Sequence, residues 1–359
     1  MDRFWSLKSA FGEYDFTQLI DTRVLEAYET DQVHVVCDID KTYLETKFET
    51  KIQMIKIAFE DAKDKITVSG ASTFLSALRW GAPQRETEVL RPVPVHFISA
   101  SPPQLRTTLE EKLSADGIDW TSDSFKNQAY NLRKGRLDLL RHHVAYKTAT
   151  IYRLMQNAPD ASKFILIGDN AEFDTYIYMG LFLFLEGKFT TAEYINYLLA
   201  GGVQNDVVKD IEKLLLKRPK ARVTGILIRE APGYETIIHP KLKDYVFTFG
   251  NYFQALLKMI HLGFIDSSLI NDLVKSFHNQ SSYSREELIS HLACFSKYSK
   301  SDKVAGFEST IQELKEIGAL NEIPEQKNYF MSPSLQDLPE GQELLKIALE
   351  WSKMLSKDH

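Results

Sequence analysis

The chain has 359 residues, with 43 Lys plus Arg against 49 Asp plus Glu and a net charge of −6. Hydrophobic residues make up 44% and charged residues 26%, which excludes wholesale disorder, and the length allows one large domain with an appendage or two domains. The acidic balance argues against a general nucleic-acid binder, which carries a basic face, and two cysteines, Cys37 and Cys294, are too few for a disulfide framework or a zinc cage.

In chain order, the opening MDRFWSLKSAFGEYDF lacks the apolar run and small-residue cleavage site of a signal peptide. Four short apolar runs follow, each ending abruptly: VHVVC before Asp38, VPVHFI before Ser99, KFILI before Gly168 and VTGILI before Arg229. Each has the length of a buried parallel strand. Helical stretches lie between them. SPPQLRTTLEEKL reads as a helix with Ser101 as N-cap and Pro102 at its first position. KTATIYRLMQNAP and QNDVVKDIEKLLLKR have helical spacing and stop at Pro159 and Pro219. The greasiest run, Ile177 to Leu185, is shorter than the roughly 20 residues that span a bilayer. It and the aromatics from Tyr245 to Phe253 read as core, with a lipid-facing role as the rarer fate. A soluble, cytoplasmic protein is the expectation.

Alternating strands and helices predict an α/β fold with a parallel sheet and right-handed crossovers over residues 1–245. From Asn251 the strand signals fade, so 246–359 reads as a mainly helical C-terminal region. Ser284 and Glu287 form a capping box there, and Pro339 starts a last helix ending near Lys357.

In an open parallel sheet, ligands bind beyond the carboxyl ends of the strands. Those ends carry Asp38-Ile39-Asp40-Lys41-Thr42, then Ser99, then Gly168-Asp169-Asn170-Ala171-Glu172-Phe173-Asp174, and Lys147 opens the helix before the third. Carboxylates brought so close repel one another unless a cation lies between them. Hard oxygen ligands completed by water describe a Mg2+ site, and a lysine and a hydroxyl beside it can hold phosphate oxygens. The set suits phosphoryl transfer with a carboxylate nucleophile.

The order DxDxT, strand-terminal Ser, Lys and GDxxxxD resembles the haloacid dehalogenase superfamily. Within it the chain is most similar to the phosphatidate phosphatase catalytic domain of the actin-patch type, a distant relative of the lipin catalytic domain. The stretches that carry the likeness are DIDKT, RPVPVHFISASPPQL, YKTATIYRLMQNAPDASKFILIGDNAEFDTYIY and RVTGILIRE, between Val33 and Glu230. The family pattern reads DxDDT, SxSPWQL, HK and GDSGxHD. Here Lys41 stands for the third aspartate, Pro103 for the Trp and Tyr146 for the His, and Asn170, Ala171 and Phe173 alter the last loop.

The resemblance implies a Rossmann-like domain of the haloacid dehalogenase type, with a small cap at 43–92 that includes KIQMIKIAFEDAKDK. It implies a Mg2+-dependent phosphatase working through an aspartyl-phosphate. Asp38 would be the nucleophile, Asp40 the acid and base, and Ser99 and Lys147 the phosphoryl grip. Thr42 would steady the loop beside the substrate, and Asn170 would touch the substrate. Asp38, the backbone carbonyl of Asp40 and Asp169 would bind the metal, and Asp174 would act on it directly or through a neighbour. The expected substrate is a bulky phosphomonoester such as phosphatidate, with peripheral membrane contact and no nucleic acid. The alternatives are a non-catalytic phospholipid-binding module of this fold and a phosphatase of soluble metabolites or nucleotides. Asp40-Lys41-Thr42 also matches the DKT of ion-pumping ATPases, but Tyr43-Leu44 stands where Gly-Thr should follow. Arg133, Lys134 and Arg136 read as a solvated basic face, His142 and His143 as surface, Cys37 as core, and Glu172 as a carboxylate that backs the site or lies at the surface rather than a catalytic one.

Overall fold

The computed structural model describes residues 19–26, 32–45, 65–81, 92–128, 143–280, 282–298 and 335–358. Most of the expected cap, the basic residues Arg133, Lys134 and Arg136, and His142 lie outside them.

The fold is mixed α/β around a seven-stranded sheet. Its strands are β1 Ile20–Val24, β2 Val33–Asp38, β3 Val95–Ser99, β4 Ser122–Lys126, β5 Lys163–Asp169, β6 Arg222–Arg229 and β7 Phe247–Phe249. They lie in the order β1-β4-β3-β2-β5-β6-β7. Every neighbour pair is parallel except β1 against β4. The central strands are covered on both faces, which is why they appear in sequence as unbroken apolar runs. Alternate side chains of one strand serve two separate cores: Val36, Phe164 and Leu166 face one, Val35, Cys37, Ile165 and Ile167 the other.

Helices α1 Ala71–Trp80 and α2 Arg106–Ala115 connect β2 to β3 and β3 to β4. Their buried side chains join the second core. Helix α3 Val144–Asn157 leads into β5, and α4 Asp174–Leu185, α5 Thr191–Ala200 and α6 Asn205–Leu215 lie between β5 and β6, all facing the first core. The connections therefore change face, and strand order reverses, at β2, where the topology opens a crevice beyond the strand ends.

The sheet continues just past residue 245 with β7, followed by α7 Tyr252–His261, α8 Ile270–Gln280 and α9 Arg285–Tyr298. Phe247, Phe249, Tyr252 and Phe253 are core residues of the second face. The last helix, α10 Gly341–Asp358, packs on α5, with Trp351 fully buried and its Nε1 donating to the Ile237 carbonyl at 2.8 Å. The run Ile177–Leu185 lies within α4, and most of it is core. No described helix is long and apolar enough to cross a membrane.

One helix start differs from expectation. A short 3-10 turn at Pro103–Leu105 precedes α2, its N-cap is Pro102, and no side chain caps it. The Ser101 hydroxyl is used elsewhere.

Candidate active site

The loop after β2 is folded back on itself. The amides of Tyr43 and Leu44 both donate to the Ile39 carbonyl at 2.9 Å. Lys41 takes a left-handed backbone with φ 58°. The buried Arg229 at the end of β6 secures the turn, donating to the Lys41 carbonyl at 2.5 Å and to Glu45 Oε1 at 2.6 Å. Tyr252 on α7 donates to the Thr42 carbonyl at 2.8 Å. Elements far apart in sequence thus fix the loop that presents Asp38 and Asp40.

Asp38, Asp169 and Asp174 converge: each offers an oxygen, and these atoms lie within 4.8 Å of one another. All three residues are buried. Asp174 can come this close because residue 168 is glycine; a Cβ there would lie 2.4 Å from Asp174 Oδ2. Asp169 is oriented by two donors, the Ala171 amide to Oδ1 at 2.7 Å and Thr42 Oγ1 to Oδ2 at 3.2 Å. Lys147, on the first turn of α3 and fully buried, reaches Asp174 Oδ1 at 2.5 Å, Asp38 Oδ1 at 2.9 Å and Glu172 Oε2 at 3.2 Å. Asp38 Oδ2 is buried without a hydrogen-bond partner.

The electrostatics follow from this crowding. Burial pushes the Asp38 carboxyl well above the usual range; Lys147 opposes it and the neighbouring carboxylates add to it. Asp169 is pushed up to about 8 by burial, then by Asp174 and Glu172. Asp174 is raised by burial despite Lys147. For Lys147, burial works against the ammonium, yet Asp174, Asp38 and Glu172 hold it well above its ordinary value. For Glu172, burial is outweighed by Lys147, His143 and Lys41, which pull it down to about 2. Buried carboxylates that favour protons because too little positive charge faces them form a donor set for a hard divalent cation. The orphaned Asp38 oxygen points to the same conclusion. Asp38, Asp169 and Asp174 would hold such an ion.

Asp40 contributes no carboxylate to that cluster. Its Oδ2 accepts from Ser99 Oγ at 3.1 Å and from Ser101 Oγ at 3.0 Å. Burial raises its pKa, Glu172 adds to this, and the two hydroxyls pull it back. Two residues expected beside the substrate have other work. Thr42 is fully buried with its hydroxyl on Asp169. Asn170 uses both ends of its amide on the loop after β6: Nδ2 donates to the Tyr234 carbonyl at 3.0 Å and to Thr236 Oγ1 at 2.9 Å, and Oδ1 accepts from the Ala231 amide at 2.7 Å. It ties the loop after β5 to the loop after β6.

Sequence reasoning also missed one member and left another open. Ser101 was read as a helix cap and instead holds Asp40. Glu172, expected either to back the site or to lie at the surface, does the former: it pairs with Lys147. The second Ser of FISASP and the density of acids in GDNAEFD were the available signals.

Residues 33–188 match the family model described as phosphatidate phosphatase APP1, catalytic domain. The matched family is a phosphoric monoester hydrolase, so the chain carries an enzyme domain of that kind, and every carboxylate, hydroxyl and lysine of the cluster above lies within the matched segment. No curated protein and no solved structure matches the chain.

Proposed function

We propose that this chain is a Mg2+-dependent phosphatase of the haloacid dehalogenase type that cleaves a phosphomonoester through an aspartyl-phosphate on Asp38, with phosphatidate or another phospholipid-like phosphomonoester as its substrate. The observation that carries the reading is the meeting of Asp38, Asp169 and Asp174 around an Asp38 oxygen that has no partner. The position of this cluster at the reversal of strand order, and the family match across it, support the same reading.

In this mechanism Asp38 Oδ2 attacks phosphorus as the bond to the leaving oxygen breaks. Its other oxygen stays on Lys147, which fixes the line of attack. Asp40, whose carboxyl burial favours in the protonated form, gives a proton to the leaving oxygen. Ser99 and Ser101 occupy Asp40 Oδ2, so Oδ1 carries that proton. Asp40 then takes a proton from water as that water attacks the acyl-phosphate, releasing inorganic phosphate and restoring Asp38. A bound Mg2+ would neutralise charge developing on the phosphoryl oxygens. Ser99 and Lys147 flank the transferring group.

Purified protein with Mg2+ should release phosphate from phosphatidate in detergent micelles, and a chelator should abolish it. Asp38→Asn should fold and lose turnover; retained activity would overturn the nucleophile assignment. Activity on soluble phosphomonoesters with none on phosphatidate, together with no sedimentation with anionic liposomes, would replace the lipid substrate by a soluble metabolite.

A further inference from the structure

The rim of the crevice beside Asp40 holds a device that cleavage of a plain phosphomonoester does not need. Lys41 occupies a backbone region that side-chain-bearing residues other than Asn and Asp rarely visit, with φ 58°. The fold commits the buried Arg229 to keeping it there. The Lys41 ammonium lies 4.4 Å from the centroid of the Tyr234 ring, close enough for a cation–π contact. Tyr234 is 41% exposed, and its carbonyl is held by Asn170, which is itself adjacent to Asp169. Two strand ends are therefore built toward each other to set an aromatic ring and a cation at one place on the rim. Arg229 and Tyr234 lie outside the segment that matches the family model.

We propose that Lys41 and Tyr234 determine specificity by favouring, over phosphatidate with its neutral diacylglycerol leaving group, a phosphomonoester whose leaving group carries a second anionic group, a phosphate or a carboxylate, near the scissile bond. This rests on the reading of Asp40 as the proton donor. The leaving oxygen must then face Asp40, and the rest of the leaving group passes over the next residue, Lys41. An anion there gains a charge-assisted contact, whereas a neutral leaving group gains nothing. The Tyr234 ring fixes the ammonium, so little side-chain freedom is lost on binding.

The test compares 4-carboxyphenyl phosphate with phenyl phosphate, whose leaving groups differ in charge more than in basicity. In the wild type kcat/KM should favour the carboxylated substrate by about tenfold, as a partly exposed charged contact gives. Lys41→Asn, which suits the left-handed backbone, should bring the ratio to about one. Lys41→Arg should keep the preference, and Tyr234→Leu should weaken it. Calorimetry with the corresponding non-hydrolysable phosphonates, with Mg2+ present, should give the same discrimination and the same loss. The equivalent lipid pair in micelles, an N-acylethanolamine phosphate and the matching N-acyl-phosphoserine, which adds only a carboxylate, tells whether the second anion belongs to a lipid or to a soluble substrate. A ratio unmoved by Lys41→Asn in every pair, or an equal fall on both members, would overturn the proposal and leave Lys41 as a counter-charge to Glu172. Phosphonate discrimination without turnover of any substrate would keep the rim and sink the phosphatase reading instead.

Discussion

A single methyl group at residue 168 should disable the site. A Cβ on Gly168 would lie 2.4 Å from Asp174 Oδ2, 2.7 Å from its Cβ and 2.8 Å from its Cγ. Comfortable contact between heavy atoms begins near ~3.5 Å, so Gly168→Ala must drive the Asp174 carboxylate away by roughly 1 Å. Asp174 has little room to yield. It is fully buried, and its Oδ1 is 2.5 Å from a lysine that also holds Asp38. Overpacking of a dense interior costs about 1–3 kcal/mol. Displacing a reacting arrangement by about 1 Å costs on the order of 100-fold in rate. Gly225→Ala on the neighbouring strand is the control, because its Cβ would meet nothing nearer than Leu227 Cδ1 at 3.4 Å. Phosphate release with Mg2+ and urea unfolding should both be measured for the pair. Gly168→Ala activity within about twofold of Gly225→Ala would refute the placement of Asp174 in the working site.

Three further outcomes follow from the same charges. Lys147→Met strands Asp38, Asp174 and Glu172 without their cation and should cost about 3–5 kcal/mol in denaturant unfolding; a loss below about 1 kcal/mol would mean the carboxylates simply take up protons. Without metal, the buried carboxyls should lower stability as pH rises. With raised folded pKa values they keep protons that the unfolded chain loses above about 4, so stability falls from there up to the folded values, about 8 for Asp169, and their effect levels off above them. The buried His34, lowered to about 4 by desolvation, works in the opposite direction but only below about 6.5. Lys126 and Lys258, lowered by burial to about 7 and about 8, also work in the opposite direction above those values, with or without metal. The readout is therefore the gap between thermal midpoints with Mg2+ and in chelator, which should widen from about pH 4 to 8; parallel curves would count against a cation site. Ser101→Ala removes one of the two donors to Asp40 and should lower kcat by about tenfold with the fold intact; wild-type kcat would return Ser101 to a purely local role.

What the sequence disclosed, and what it hid, divides along burial. The strands β2, β3, β5 and β6 read clearly because both faces are dry, leaving apolar runs with sharp ends. Strand β4, SDSFK, did not, since its side chains are polar yet wholly buried. Its two serines and its aspartate find tertiary partners that no local pattern announces: Ser124 bonds Thr22 at 2.8 Å, Ser122 bonds His96 at 2.7 Å, and Asp123 takes Arg106 at 2.7 Å. Strands β1 and β7 are short edges with little periodicity to detect. The same division runs through the site. Its carboxylates stand at strand ends, where position alone marks them. Ser101 could be read only by its local habit as a cap, and Asn170 only by its neighbours in a motif. Their true partners come from the β2 loop and from the loop after β6, which only the fold brings together.

Lys147 shows how far such a site departs from local preference. A lysine in the first turn of a helix faces the positive end of the dipole, a cost of about 0.3–1 kcal/mol at an exposed position. Here it is also fully desolvated, which is worse. Both costs are offset because Asp38, Asp174 and Glu172 all lie within 3.2 Å of its Nζ. One ammonium against Asp38, Asp169, Glu172 and Asp174 still leaves the cluster formally at −3 when all are ionised. A phosphate approaching that charge unaided would be repelled. The lysine therefore orders the carboxylates without satisfying them, and the shortfall it leaves would let the same cluster take a divalent cation and then an anion. Full neutralisation by protein side chains would have made a more stable protein and an inert one.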